Sequence, residues 1–211
     1  MKTWHVLLSI ALVAGCGDDD GGDPDLGVVP IDLGGGDEDM GPLEEDDMGP
    51  PADLGTPAGL GGLVVNEMDA NDEWVELFNP TPTPVMLGGV RICDSDAGSP
   101  RLDRAFAFPD GFMLGAGEYV LTVEADPVLD GIREGADCPG DGRCLHTDWG
   151  LSDSSGETIF ILPPEGNDTP LMMIEYPPMA APDGESYCRI DNGSGDFTAC
   201  SPTPGAANTA S

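Results

Sequence analysis

After Gly62 the chain breaks into short apolar runs separated by turn residues roughly every ten positions. The runs are "LVVNEM", "EWVELFN", "VMLGGVRIC", "RAFAFP", "EYVLTV", "ETIFIL", "LMMIEY", "SYCRI" and "DFTAC". Between them stand "NPTPTP", "DSDAGSP", "PDG", "GAG", "PPEGND" and "DNGSGD". No run carries the long 3.6-residue period of a helix. Short strands at even spacing, divided by Gly, Pro, Asp and Asn, predict an all-β sandwich or barrel. About 150 residues suffice for one core between two packed sheets. The 31 glycines and 21 prolines must then sit in tight turns or in low-complexity segments.

One stretch raises a chemical question. "NEMDANDEWVELFNP" concentrates Glu67, Asp69, Asp72, Glu73 and Glu76, a density that would suit a catalytic or metal site. Alternation gives a plainer reading. Trp74, Glu76 and Phe78 share one face of a strand, and Val75 and Leu77 the other. Asn66 and Glu67 then close one strand, "DAND" turns, and "EWVEL" starts the next. Glu67 and Glu76 are expected to meet polar groups or backbone across the hairpin rather than each other. Asp69, Asp72 and Glu73 are expected at the hairpin end, in water.

Charge narrows the class of partner. Forty acidic residues against seven basic ones give a formal net charge of −33. No basic patch exists to release counterions from phosphates, so nucleic acid is excluded as a partner. The N-terminus "MKTWHVLLSIALVAGC" has a charge at Lys2 and an apolar core from Val6 to Ala14, too short to span a bilayer. Its ending, Val13-Ala14-Gly15-Cys16, resembles the lipobox of bacterial lipoproteins. That resemblance implies a signal peptide over 1–15, acylation of Cys16 and attachment to a membrane. Gly17 rather than Asp after the cysteine favours, by resemblance, an outer-membrane or surface location. From Gly17 to Leu60 the chain has 14 acidic residues, no basic one and no aromatic. It repeats Asp-Leu-Gly or Asp-Met-Gly from Asp25, Asp32, Asp39, Asp47 and Asp53. One small apolar residue per repeat cannot offset ordering entropy, so residues 16–60 are expected to form a disordered acidic tether.

The folded remainder, 61–208, resembles a known family. "LVVNEM", "EWVELFNP", "VMLGGVRICD", "FPDGFMLGAGEYVL", "GLSDSSGETIFIL", "SYCRIDNGSGDF" and "PTPGAAN" match, in order, the pieces of the lamin tail domain. The resemblance implies an immunoglobulin-like β-sandwich that acts as a protein- or polymer-interaction module. Where that family commonly has Ser-Gly-Trp, this chain reads Gly88-Gly89-Val90, so other residues must fill the place of the indole.

With Cys16 acylated, Cys93, Cys138, Cys144, Cys188 and Cys200 remain. An extracytoplasmic domain favours disulfides. Cys138 and Cys144 close the loop "CPGDGRC", and Cys188 and Cys200 flank the "DNGSGD" turn, which predicts those two bridges and leaves Cys93 unpaired. Re-pairing among Cys93, Cys138 and Cys144 is the alternative. Zinc at Cys138, Cys144 and His146 fits no common finger spacing. A Ser-His-Asp triad would have His146 as its single base in the mature chain, and no nucleophile elbow is present. Catalytic residues are therefore not expected. The loop "DSDAGSPRLD" presents Asp94, Asp96 and Asp103 as candidates for a structural Ca²⁺, although it departs from the EF-hand pattern at its fifth and twelfth positions. No other cofactor is expected.

Together these features describe a lipid-anchored envelope or surface protein whose tether presents a non-catalytic module. An unidentified envelope protein or polymer would be its partner. Trp149 in "HTDWGLSD" is either core or part of a contact surface at a loop end, and an exposed edge strand is the other candidate surface. A calcium-dependent adhesin or carbohydrate-binding domain is the alternative on the same scaffold, and an envelope hydrolase a third class.

Overall fold

The computed structural model describes residues 60–210. The signal peptide, Cys16 and all of the tether except Leu60 lie outside the described residues. In chain order the strands are β1 (Val64–Asp69), β2 (Trp74–Phe78), β3 (Val85–Met86), β4 (Arg91–Cys93), β5 (Ser95–Asp96), β6 (Ser99–Pro100), β7 (Phe106–Ala107) and β8 (Met113–Leu114). They continue with β9 (Tyr119–Glu124), β10 (Ile132–Glu134), β11 (Arg143–Thr147), β12 (Glu157–Leu162), β13 (Met172–Tyr176), β14 (Ser186–Ile190) and β15 (Asp196–Cys200). Three short 3₁₀ turns, Leu102–Arg104, Gly135–Asp137 and Pro139–Asp141, complete the described elements.

The fold is all-β, as the spacing of the runs predicts. One sheet has the order β10-β11-β9-β2-β1-β14-β15 and the other β13-β12-β4-β7, with two small ribbons, β3-β8 and β5-β6. Val65, Met68, Val75, Leu77 and Val120 of the larger sheet meet Ile92, Ile159, Ile161, Ile174 and Tyr176 of the smaller in one buried core. At about 25 cal/mol per Å² of apolar surface, this layer is the main source of stability. Leu60 is only 1% exposed and belongs to the same core, so the folded part begins at least one residue before Gly61. β2 is also covered on its second face. Trp74 packs there with Leu121, Cys138 and Cys144, which explains why both faces of "EWVELF" are apolar.

Two runs are organised differently from expectation. "VMLGGVRIC" is not one strand: β3 and β4 are separated by a turn at Leu87–Val90, closed by Val90 N–H donating to Leu87 O (2.9 Å). Gly88 has no room for a side chain, since a Cβ there would lie 2.5 Å from Gly111 N. Val90 takes its place in the main core, where the family pattern commonly has an indole. β11, in turn, joins β9 in parallel, a pairing that needs a long connection and leaves no local hairpin signal.

Disulfides join Cys138 to Cys144 and Cys188 to Cys200, and Cys93 is a buried free thiol. On the β14–β15 ladder Cys188 stands opposite Thr198 and Cys200 opposite Ser186, so the bridge runs diagonally rather than straight across.

Candidate functional site

The acid-rich stretch folds into the β1–β2 hairpin, where the register sets Glu67 directly opposite Glu76. A bulge at Asn66 interrupts the ladder between Val65 and Glu67. Asn66, Glu67 and Glu76 are all fully buried. Buried carboxylates require partners, and these come from the last residues of the folded chain. Glu67 accepts hydrogen bonds from Thr203 N–H (3.0 Å), from the Thr203 hydroxyl (2.9 Å) and from the Ser186 hydroxyl. Glu76 accepts from Gly205 N–H (2.7 Å) and from the Asn66 amide (2.8 Å).

Two asparagines complete the network. Asn208 donates to Asn66 O and Arg189 O, each at 3.0 Å, and its own N–H donates to Asn192 Oδ1 (3.0 Å). Asn192 Oδ1 also accepts from the Asn66 side chain (3.0 Å), and its amide donates to Tyr119 Oη (3.1 Å). Gly193 N–H donates to Asn66 Oδ1 (2.8 Å). Arg189 donates to Val65 O and Gly195 O, each at 2.9 Å, while its guanidinium lies over the Phe197 ring. The constellation is a clasp that binds the segment 203–208 onto the large sheet.

The disulfide loop closes over the same segment. Gly140 has φ +63°, and a Cβ there would lie 2.3 Å from Pro204 O. Gly140→Ala therefore combines left-handed strain with a backbone clash. It is expected to cost about 2–3 kcal/mol, read as a lowered urea midpoint. An unchanged midpoint would show that this loop does not hold the segment.

Burial raises the pKa of both glutamates and so disfavours their ionised forms. Desolvation raises Glu76 most, its bonds from Asn66 and Gly205 pull it back and Glu67 raises it again, which leaves it pushed up to about 8. Burial also raises Glu67, against the bonds from Ser186 and Thr203. With their oxygens committed to their own chain and no solvent exposure, neither can reach an external substrate unless the segment leaves. Asp69, expected in water, is buried instead. Its Oδ1 accepts from Asn71 N–H (2.8 Å) and Asp72 N–H (3.1 Å), so it shapes the hairpin turn. Asp72 is exposed, and half-buried Glu73 adopts φ +56°.

The other candidates are dispersed. His146 is buried, with Nε2 donating to Asp137 O (3.0 Å) and Nδ1 accepting from Leu129 N–H (3.4 Å). Both ring nitrogens hold loops around the Cys138–Cys144 bridge. In the calcium candidate loop, Asp94 is buried against Arg101 (3.1 Å), Asp96 projects from the β5–β6 ribbon into solvent, and Asp103 sits exposed in the first 3₁₀ turn. Among the described residues no group of three or more His, Cys, Asp or Glu is arranged to hold a metal ion. Arg101 engages Asp94 Oδ2, and Asp94 Oδ1 has no hydrogen-bond partner among the described residues. Trp149 is 3% exposed and packs in the main core, the first of the two places expected for it.

With this geometry established, comparison with protein families gives a match to the Lamin Tail Domain model over residues 56–176, more than half of the chain. The chain belongs to the lamin tail domain family. A comparison with curated proteins found none that matches it. The match takes in β1 to β13. The lamin tail fold of this chain continues past it, because β14 pairs with β1 and β15 with β14 in the same sheet. The motif pieces "NE", "EWVEL" and "PTPGAAN" are thus parts of one clasp.

Lys2 is the sole lysine, and residues 60–210 carry six arginines against 26 acidic residues. Five of those arginines form ion pairs, with Asp168, Asp94, Asp148, Asp137 and Glu118, and the sixth is Arg189 of the clasp. The surface of this lamin tail domain is thus anionic.

Proposed function

We propose that this chain is a bacterial-type lipoprotein, acylated at Cys16, whose acidic tether carries a non-catalytic lamin tail domain that binds an envelope protein or polymer. Supporting the binding role is the commitment of the buried titratable groups: Glu67, Glu76 and His146 are each hydrogen-bonded within the domain. What the domain offers to other molecules is its surface. The lipobox-like ending before Cys16 supports the anchor, and the charge of the tether supports its extension from the lipid.

Two measurements test this. Cells fed an alkynyl palmitate are expected to label the wild-type chain and not Cys16→Ser; absence of label on the wild type sinks the anchor. Cleavage before Cys16 also removes Lys2, so the mature chain has no lysine. Carbodiimide cross-linking of intact envelopes, which joins carboxylates to amines, is then expected to give adducts between this chain and an amine-bearing partner. Recovery of the monomer alone under conditions that cross-link other envelope proteins counts against the binding role.

A further inference from the structure

The smaller sheet ends in β13, whose outer edge is not paired with another strand among the described residues. An open edge presents backbone N–H and C=O groups to any extended chain that can reach it. β13 is only lightly protected, since one of its five residues, Glu175, is charged. It has no lysine and no proline, and its outward positions are Met173, 40% exposed, and exposed Glu175.

Two further features lie beside this edge. A small pocket of about 180 Å³ is lined by Ser95, Ser155, Glu157, Glu175, Tyr176 and Pro178. It is smaller than the usual site for a drug-sized ligand, but it suits one side chain. Its ionisable lining is acidic or phenolic, and it holds no basic residue. Glu157 is fixed by Ser95, whose N–H (3.2 Å) and hydroxyl both donate to Oε1. Just past the strand, Met179 is 72% exposed and adopts φ +57°, with its N–H bonded to Asp153 O (2.8 Å). The backbone of Met179 is held, while its flexible side chain is displayed to solvent as an adaptable apolar contact.

We infer that β13 is a docking edge for an extended segment of another protein bearing lysine or arginine, which pairs with the β13 backbone, contacts Met173 and Met179, and places one basic side chain in the Glu157–Glu175 pocket. This deepens, and rests on, the binding role proposed above. Charge selects the occupant. A second copy would bring 26 further acidic residues against six arginines, and this chain's own tether has 14 acidic residues and no basic one. Both are repelled from a pocket that is itself acidic. A basic strand is attracted to it.

The test uses the full chain in detergent and an acetylated, amidated hexapeptide of alternating lysine and valine. Hydrogen exchange is expected to slow at Met172–Tyr176 on binding. Glu157→Gln/Glu175→Gln should weaken binding about tenfold, and Glu175→Gln alone, at an exposed position, should weaken it less without changing the melting temperature. A peptide alternating lysine and proline has the same charge but cannot complete a ladder, and should leave β13 unprotected. The proposal is overturned if the lysine–proline peptide protects β13 equally, if protection falls on β10 or β15 instead, or if the chain pairs with itself in sedimentation. Carbodiimide adducts that form in envelopes but map away from β13 would leave the binding role standing and remove this site.

Discussion

Deleting residues 202–211 is expected to prevent the domain from folding, although the deletion touches no strand. The segment supplies Thr203 N–H and hydroxyl to Glu67, Gly205 N–H to Glu76, and the Asn208 amide to Asn66 O and Arg189 O. Its loss would leave two buried carboxylates and two buried carbonyls short of partners. Each such group costs about 1–3 kcal/mol, more when charged, and the total is comparable with the whole stability of a domain, about 5–15 kcal/mol. Asn208→Ala is the graded version. It removes both donations to buried carbonyls and should cost about 2–3 kcal/mol, read as a lowered urea midpoint with an unchanged slope. A truncated chain that melts like the full one would show that water can replace the segment and that no clasp exists.

The second large effect is a fall in stability as pH rises. The carboxyl of Glu76 has an ordinary value of 4.5 and is raised to about 8 by burial and by Glu67. Below pH 4.5 both folded and unfolded chains hold the proton, and the neutral group sits in the fold without penalty. Between 4.5 and 8 the unfolded chain releases a proton that the folded chain keeps, so stability declines with pH. Above 8 both are ionised and the loss is complete. At about 1.4 kcal/mol per unit of difference, the loss is a few kcal/mol. Glu67 and Glu73 are raised as well, chiefly by burial, and act in the same sense. Thermal melts from pH 5 to pH 9 should therefore fall steadily. Glu76→Gln should flatten the profile without abolishing it, whereas exposed Asp72→Asn should leave the slope in place and so control for overall charge. Stability that rises with pH across this window would overturn the assignment.

Much of this architecture could be read from the residue pattern. Runs such as "ETIFIL", "EYVLTV" and "SYCRI" became strands because alternation and β-branched or aromatic residues act locally. Other elements could not be read this way. β10 and β11 contain no apolar run: "RCLHT" is buried because a disulfide loop lies beside it, and its partner β9 is parallel and distant. Asp69 looked like a solvated turn residue and is buried, since its neighbours' amides turn back onto its carboxylate. In the Asp94 loop, the ion pair with Arg101, seven residues on, was not read from the sequence.

The carboxylates of "NEMDANDEWVEL" show where the division falls. That Glu67 and Glu76 lie on neighbouring strands is legible in the residue pattern, because two-residue alternation and a short turn are local properties. What those carboxylates hold depends on the folded chain as a whole. Thr203 is 136 residues from Glu67, and Gly205 is 129 from Glu76. No local propensity encodes a contact of that range. It exists because two carboxyl groups removed from water must find hydrogen-bond partners, and the chain that returns over β1 and β2 is the one that brings backbone amides to them.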